Sequence, residues 1–317
     1  MRRILNYKIT DKHEKISIGS FLREQGFSHH IIVHLKKCEN GIMLNDQRVY
    51  TNQILKKDDL LTINIIEEAS SENIVPIPMP LDIVYEDKDI MVLNKPADMP
   101  IHPSQGNHDN TLANGVAHYF AAQDIPYTYR CINRLDRDTT GLLILAKHML
   151  SAAILSQIMK DRQISRTYLA LVEGVPPAHG TINKPIGRKE GSTIERIIDE
   201  TNGETAITHY KILSTATICP NSKVANQSNE IISLKEISLV ELRLETGRTH
   251  QIRVHMKSIG HPLVGDTLYN PTTQLLGRQA LHSHQLSFVH PITNEPLDFT
   301  SSLPDNMLKI FPSPLRA

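Results

Sequence analysis

Apolar positions recur along this chain with two different periods, and the changes of period mark out its elements. Ile18, Phe21 and Leu22, with Gln25 in register, follow helical spacing, three and four residues apart as one face of a helix requires. Gly26 supplies a stop. Ser28 is placed to cap a second helix through Ile31, Ile32, Leu35 and Lys36, because its hydroxyl can accept a first-turn N–H. Gly41 to Val49 reads as a strand, a polar turn and the start of another strand, and Leu60 to Ile66 as a further β run.

Residues 67–80, EEASSENIVPIPMP, break both periods, with three prolines in five positions. Proline removes a backbone donor and pushes its predecessor into extended geometry, so this stretch reads as a linker. It separates a small module at 12–66 from a larger domain at 81–310. In the larger domain, Ile83 to Asp87 and Ile90 to Pro96 are β-like, and Leu112, Val116, Tyr119 and Phe120 are spaced as a helix. Leu142 to Ala146 reads as a buried strand and Met149 to Met159 as an amphipathic helix. Tyr168 to Val172, Ile207 to Leu213, Ile237 to Leu244 and Leu281 to Val289 read as strands, and 217–230 as a polar surface loop. Strands outnumber helices and do not alternate with them. The expected fold class is therefore α+β, with a mixed, mainly antiparallel sheet in the larger domain and a small α/β module before it.

Composition narrows the function classes. The 317 residues are 40% hydrophobic and 21% charged, which excludes disorder for most of the chain. No apolar run reaches the roughly 20 residues of a membrane span, and the N-terminus lacks the apolar core of a secretory signal. The chain is expected in the cytoplasm. Cys38, Cys131 and Cys219 are scattered, which suits reduced thiols rather than a disulfide framework or a cysteine zinc site. The 34 Lys+Arg balance the 34 Asp+Glu, at face value a poor sign for nucleic-acid binding. That zero is not uniform: residues 1–66 hold 11 basic and 7 acidic residues, a local net of +4.

Two stretches concentrate chemistry. In Arg130 to Gly141, RCINRLDRDTTG, Asp136 lies between Arg134 and Arg137. Cationic neighbours keep a carboxylate ionised, ready to act as nucleophile or base. In Glu245 to Pro262, Thr249 is placed to cap a helix that Gly260 ends. Ile252, Met256 and Ile259 form its apolar face, and Thr249, Arg253 and Lys257 another face, a basic stripe. A guanidinium there can pair with a carboxylate or phosphate in bidentate fashion. His250, His255, His282 and His284 raise a metal reading, but HxxxxH is not a helical i,i+4 pair, and no metal is expected.

The motifs RLDRDTTGLLILAK, RTYLALVEG and ETGRTHQIRVHMKSIGHPLVGDTLY, in that order over about residues 81–300, resemble the RluA-type family of RNA pseudouridine synthases. The segment SIGSFLREQGFSHHIIVHLKKCENGIMLNDQRV resembles an S-four-type RNA-binding domain. The first resemblance implies cleavage of the bond between uracil N1 and the ribose, rotation of the base and rejoining through C5, with no cofactor. It places the catalytic aspartate on Asp136, the active-site tyrosine on Tyr168 and the basic partner of the aspartate on Arg253. Arg134 corresponds to the arginine that fills the gap left by a flipped nucleotide, and base extrusion costs a few kcal/mol that such an insertion offsets. The second resemblance makes Arg23, Lys36, Lys37 and Arg48, with Lys257 of the larger domain, candidate RNA contacts.

Most family members carry His where this chain has Asn133, which puts the loop conformation and target choice in question while leaving the catalytic set intact. The expectation is a monomeric enzyme acting on uridine in structured RNA: ribosomal RNA of the large subunit first, transfer RNA second, with no membrane partner. Two rival readings are a non-catalytic RNA-binding or ribosome-assembly factor retaining the fold, and a hydrolase. The latter would want a second positioned carboxylate or a metal ligand set.

Overall fold

The two periods become fifteen strands and six α-helices among the residues that the computed structural model describes, 1–218, 235–271 and 275–311. The first unit holds β1 (Arg2–Lys8), α1 (Ile18–Glu24), α2 (His29–Lys37), β2 (Ile42–Leu44), β3 (Gln47–Arg48) and β4 (Leu60–Ile66), its sheet ordered β1-β4-β2-β3. The Ser17 hydroxyl accepts from Ser20 N at the start of α1, and Ser28 from Ile31 N at the start of α2. The sheet extends ahead of residue 12, since β1 pairs antiparallel with β4 from Arg2↔Ile66 to Lys8↔Leu60. No alternation announces β1 because it is a half-exposed edge strand whose only buried residue is Leu5.

Leu22, Leu35, Leu61 and Ile63 form this unit's core, and Leu150 from the larger domain completes it. Arg3 forks onto Asp89 at 2.6 and 2.9 Å, and Glu67 pairs with Arg130. Residues 67–80 are irregular, as their prolines require, yet docked: Ile77 N donates to Asn114 O at 3.1 Å, and Asn114 Nδ2 to Val75 O at 2.8 Å.

The larger unit follows as β5 (Ile83–Glu86), β6 (Ile90–Lys95), α3 (Leu112–Ala121), β7 (Thr140–Ala146), α4 (Met149–Lys160), β8 (Ser165–Glu173), β9 (His179–Asn183), β10 (Ile186–Arg188), β11 (Arg196–Ile198), β12 (Ile207–Ile218), β13 (Lys235–Leu244), α5 (Gln251–Ser258), β14 (Leu281–Val289), β15 (Pro296–Thr300) and α6 (Asp305–Ile310). Nine strands form one mixed sheet, β5-β6-β7-β14-β8-β13-β12-β9 with β15 on β14, and β7–β14 is its parallel pair. Thr217 and Ile218, read from sequence as loop, prolong β12 and pair with Glu236 and Lys235. The rest of that loop, with Cys219, lies outside the described residues.

Alternation along β7 and β8 sorts the core into two layers, because successive strand side chains point to opposite faces. Leu143, Leu145, Tyr168 and Ala170 face α3 and α5. Leu142 and Ile144 face α4, and Leu169 and Leu171 face α6. Both faces being covered, β7 is buried throughout and reads as a continuous apolar run.

Candidate active site

A cleft of about 520 Å³ opens on the α5 face of the large sheet, lined by the loop entering β7, the near end of β8, the turn after β13 and the first turns of α5. The loop is held at both ends. Asn133 is buried; its Oδ1 accepts from Ile144 N at 2.8 Å and its Nδ2 donates to Leu142 O at 3.4 Å. The residue that departs from the expected histidine thus clamps the loop to β7, using a donor and an acceptor that one amide carries together. At the far end Gly141 has φ +106°, and a Cβ there would stand 2.2 Å from Ser283 O, so only glycine allows β7 to approach β14 this closely.

Beneath the loop sits the ammonium of Lys95, a fully buried side chain. It donates to Arg137 O and Pro96 O at 2.7 Å and to Met99 O at 3.0 Å, fixing the Arg137–Asp138 peptide just beyond Asp136. Burial pulls its pKa down to about 7, against the opposing charges of Asp138 and Asp136.

The carboxylate of Asp136 is 24% exposed in the cleft, and Arg253 Nη1 donates to its Oδ2 at 3.1 Å. Sequence proximity suggested Arg134 and Arg137 as the cations beside it, and the structure corrects this. Arg137 turns outward to Asp98, with Nε at 2.7 Å, and Arg134 is an exposed side chain on the cleft wall. The partner comes instead from α5, 117 residues away along the chain.

Arg253 is itself aimed by Asp266, which takes Nε at 2.7 Å and Nη2 at 2.8 Å in a fork and accepts the backbone N–H groups of Leu268 and Tyr269, each at 3.1 Å. This leaves Nη1 for Asp136. Burial alone would lower the arginine's pKa, but the hydrogen bonds it donates to Asp266 and the charge of Asp136 hold it above its ordinary value.

Helix α5 begins one residue later than its sequence suggested. Thr249 does not cap it. His250 takes the Ncap position in left-handed geometry (φ 57°) with no side-chain cap bond. Gln251 holds the turn instead, its Oε1 accepting from Arg248 N and Thr246 Oγ1. His250 Nε2 thereby comes within 3.9 Å of Asp136, and Nδ1 meets Tyr269 Oη at 2.9 Å. Burial pushes this imidazole below its ordinary pKa although Asp136 pulls the other way.

Tyr168 is buried in the cleft floor with Leu135, Leu242, Ile252 and Leu281. Burial pushes its phenol above the ordinary 10, with Arg166 opposing and Asp136 adding to the shift. Arg253 and Lys257 do share a support, lying 4.9 and 5.5 Å from the centre of the Tyr269 ring. They are not a surface stripe, however: Arg253 is buried in the charge cluster and Lys257 is exposed, outside the cleft lining.

Arg23, Lys36, Lys37 and Arg48 are exposed on the first unit, where Lys36 and Arg48 line a groove with Tyr50 that is separate from the cleft. The four histidines that raised a metal reading do not converge. His255 bonds Thr208 Oγ1 and Lys184 O, His282 bonds Thr140 Oγ1 and Ser301 O, and His284 bonds Ser301 O. Sequence reasoning assigned no role to Asp266, Lys95 or Arg166 and weighed His250 only as a metal ligand, although Asp266 stands in the quoted segment HPLVGDTLY and Arg166 in RTYLALVEG.

The family model described as RNA pseudouridylate synthase matches residues 89–258, the span that carries Asp136, Tyr168 and Arg253. The chain belongs to the RNA pseudouridine synthase family. It is 38% identical over 296 residues to an uncharacterized RNA pseudouridine synthase, YjbO, of Bacillus subtilis, covering 93% of this chain and 98% of that protein. It is 37% identical over 274 residues to the ribosomal large subunit pseudouridine synthase D of Zymomonas mobilis, covering 81% and 80% of the two chains. Among solved structures it is similar to human RNA pseudouridylate synthase domain containing 1, with TM-score 0.56, 27% identity, and 70% and 83% of the two chains covered. The pseudouridine synthases are isomerases, and this chain is one of them by family.

Proposed function

We propose that this enzyme converts uridine to pseudouridine in structured RNA, and that its substrate is large-subunit ribosomal RNA. The single observation that carries the catalytic assignment is a partly exposed carboxylate, Asp136, held by a pre-aimed Arg253 in the cleft that Tyr168 also lines. The substrate assignment is supported by the relatives named for the ribosomal large subunit. In the reaction the N1–C1′ bond breaks, the uracil turns and C5 bonds to C1′; the proton lost from C5 is balanced by one gained at N1. Nothing is oxidised or reduced, so the chemistry itself calls for no redox cofactor.

Asp136 is the group that engages the substrate as its glycosidic bond breaks, and Arg253 fixes that carboxylate's orientation, a positioning effect that 1 Å of error would spoil. Tyr168, its phenol pushed up by burial, serves as a neutral stacking surface and hydrogen-bonding group rather than as a base. Arg134, exposed at the cleft wall, takes the place of the extruded nucleotide. The first unit is an S-four-like RNA-binding domain whose Arg23, Lys36, Lys37 and Arg48, with Lys257 outside the cleft, contact phosphates. The enzyme acts as a cytoplasmic monomer.

Tritium release from large-subunit ribosomal RNA labelled at uridine C5 tests this reading. Wild-type protein is expected to release tritium, and Asp136→Asn to release none above background while binding the same RNA. Full activity in Asp136→Asn would remove the catalytic assignment. Absence of pseudouridine with the wild-type protein would favour the non-catalytic binding factor.

A further inference from the structure

Arg166 stands two residues before Tyr168 on β8 and on the same face of the strand, so its Cα lies about 6.6 Å from that of the tyrosine along the cleft floor. Its Nε is sealed from solvent and has no hydrogen-bond partner among the described residues. Neither does its guanidinium form an ion pair among them, unlike the arginines that flank it on the cleft wall beside β8 and α5; Arg134, also without an ion pair among the described residues, is instead exposed. Arg162 pairs with Glu245 at 2.6 Å, Arg248 with Glu204, and Arg253 with Asp136 and Asp266. Glu245, a carboxylate on the cleft wall, is engaged twice, by Arg162 and by His209 at 2.8 Å.

The surroundings nevertheless make room for this group: a Cβ on Gly247 would stand 2.9 Å from Nη1, so glycine lets the turn after β13 close against the guanidinium. Sealing a cationic N–H from water without an acceptor is costly, and a ligand oxygen that reaches the half-buried guanidinium would offset that cost. The adjoining lining adds the cation of Lys160 at the end of α4, while Arg162 just beyond it is neutralised by Glu245.

We infer that Arg166 is the phosphate-binding residue of the cleft, its guanidinium forking onto the non-bridging oxygens of the phosphodiester next to the target uridine while Tyr168 meets the base. A guanidinium fork matches a phosphate bidentately. The spacing along one strand puts charge recognition and base recognition one nucleotide's reach apart. This rests on the reading of the cleft as the uridine site, but its test needs no turnover.

Binding of a short oligouridylate to the full-length protein is measured by fluorescence anisotropy across a salt series. Arg166→Gln is expected to weaken binding about tenfold, the value of one lost charge-assisted contact, and to flatten the salt dependence by about 0.7 in log K per log salt. Arg166→Lys should restore the salt dependence and only part of the affinity, having charge without the fork. On a methylphosphonate oligouridylate, whose backbone is uncharged, wild type and Arg166→Gln should bind alike. Because the Arg166 guanidinium has no ion pair among the described residues and its Nε no hydrogen bond, Arg166→Gln should leave the thermal midpoint unchanged or raise it. Lys309→Gln, on α6 across the sheet, controls for loss of a remote charge.

Wild-type affinity and salt dependence in Arg166→Gln would overturn the assignment, as would a defect that persists on the uncharged oligomer. A large drop in the thermal midpoint would overturn it too, by showing a structural role. Failure to find pseudouridine would strike the catalytic reading and leave this measurement standing.

Discussion

Removing Asp266 should uncouple the charge cluster in a way that separates aiming from chemistry. Asp266→Ala deletes both arms of the fork on Arg253, whose side chain is 7% exposed while that of Asp266 is fully buried. It also strands the Leu268 and Tyr269 N–H groups that the carboxylate accepts. Breaking a buried ion pair from one side costs about 3–5 kcal/mol, since the surviving charge stays buried. Asp136 offsets part of this, so the lower half of that range is expected in urea unfolding. Freed from the fork, Arg253 can turn wholly toward Asp136 or away from it, and a shift of about 1 Å is enough for a hundredfold loss of rate in tritium release. The double variant Arg253→Met, Asp266→Ala removes both charges and should recover much of the stability while staying inactive, because an apolar pair costs less than one stranded ion. If Asp266→Ala unfolds at the wild-type urea midpoint and releases tritium within about twofold of wild type, Asp266 does not aim Arg253 and the account of the cluster fails.

Two further outcomes follow from buried groups next to the cleft. Lys95→Met leaves the carbonyls of Pro96, Met99 and Arg137 without their ammonium donor and should cost about 2–4 kcal/mol in urea unfolding at neutral pH. Because the folded-state pKa of Lys95 lies near 7, below its ordinary 10.5, the unfolded chain binds more protons between those values and wild-type stability should rise with pH across that window. The variant should lose that rise, and an identical pH profile in the two proteins would refute the assignment. His282, pushed by burial to about 4 from 6.5, donates Nε2–H to Ser301 O and accepts from Thr140 Oγ1 in its neutral form. Its folded pKa being depressed, the unfolded chain again binds more protons between 4 and 6.5, so stability falls as pH drops through that range, by roughly 3 kcal/mol in all. His282→Gln should show a shallower acid-side loss in urea midpoints measured from neutral pH to about pH 4.

How far the sequence carried depends on the range over which each feature is specified. The helices at Ile18 and Ile31, the strands from Ile90 and Leu142, and the linker break at the prolines are all written within a dozen residues, and the periodicities found them. Strand β1 escaped because an exposed edge has no buried face to impose alternation. The start of α5 was misread because Thr249 has the chemistry of a cap, whereas the turn is held by Gln251 reaching back to Arg248 and Thr246. Asp136, Tyr168 and Arg253 were legible only through their motifs. Composition favoured Arg134 and Arg137 as the partners of Asp136, and neither one is.

The charges of the cleft explain why the balanced composition misleads. Asp136, Arg253 and Asp266 consume one another and sum to a single negative charge, which Arg166 on the same floor cancels. The floor therefore offers almost no net field to draw in RNA, and long-range attraction is left to exposed cations such as those of the first unit. Within the floor, what remains for a nucleotide is the Arg166 guanidinium, without an ion pair among the described residues, and one partly exposed carboxylate, with Tyr168 lining the same cleft. Such an arrangement gains little from a random strand, whose phosphate and base would seldom fall together on Arg166 and Tyr168. It gains most from a uridine already displaced from its stack, so that discrimination rests on the shape of the folded RNA around the target.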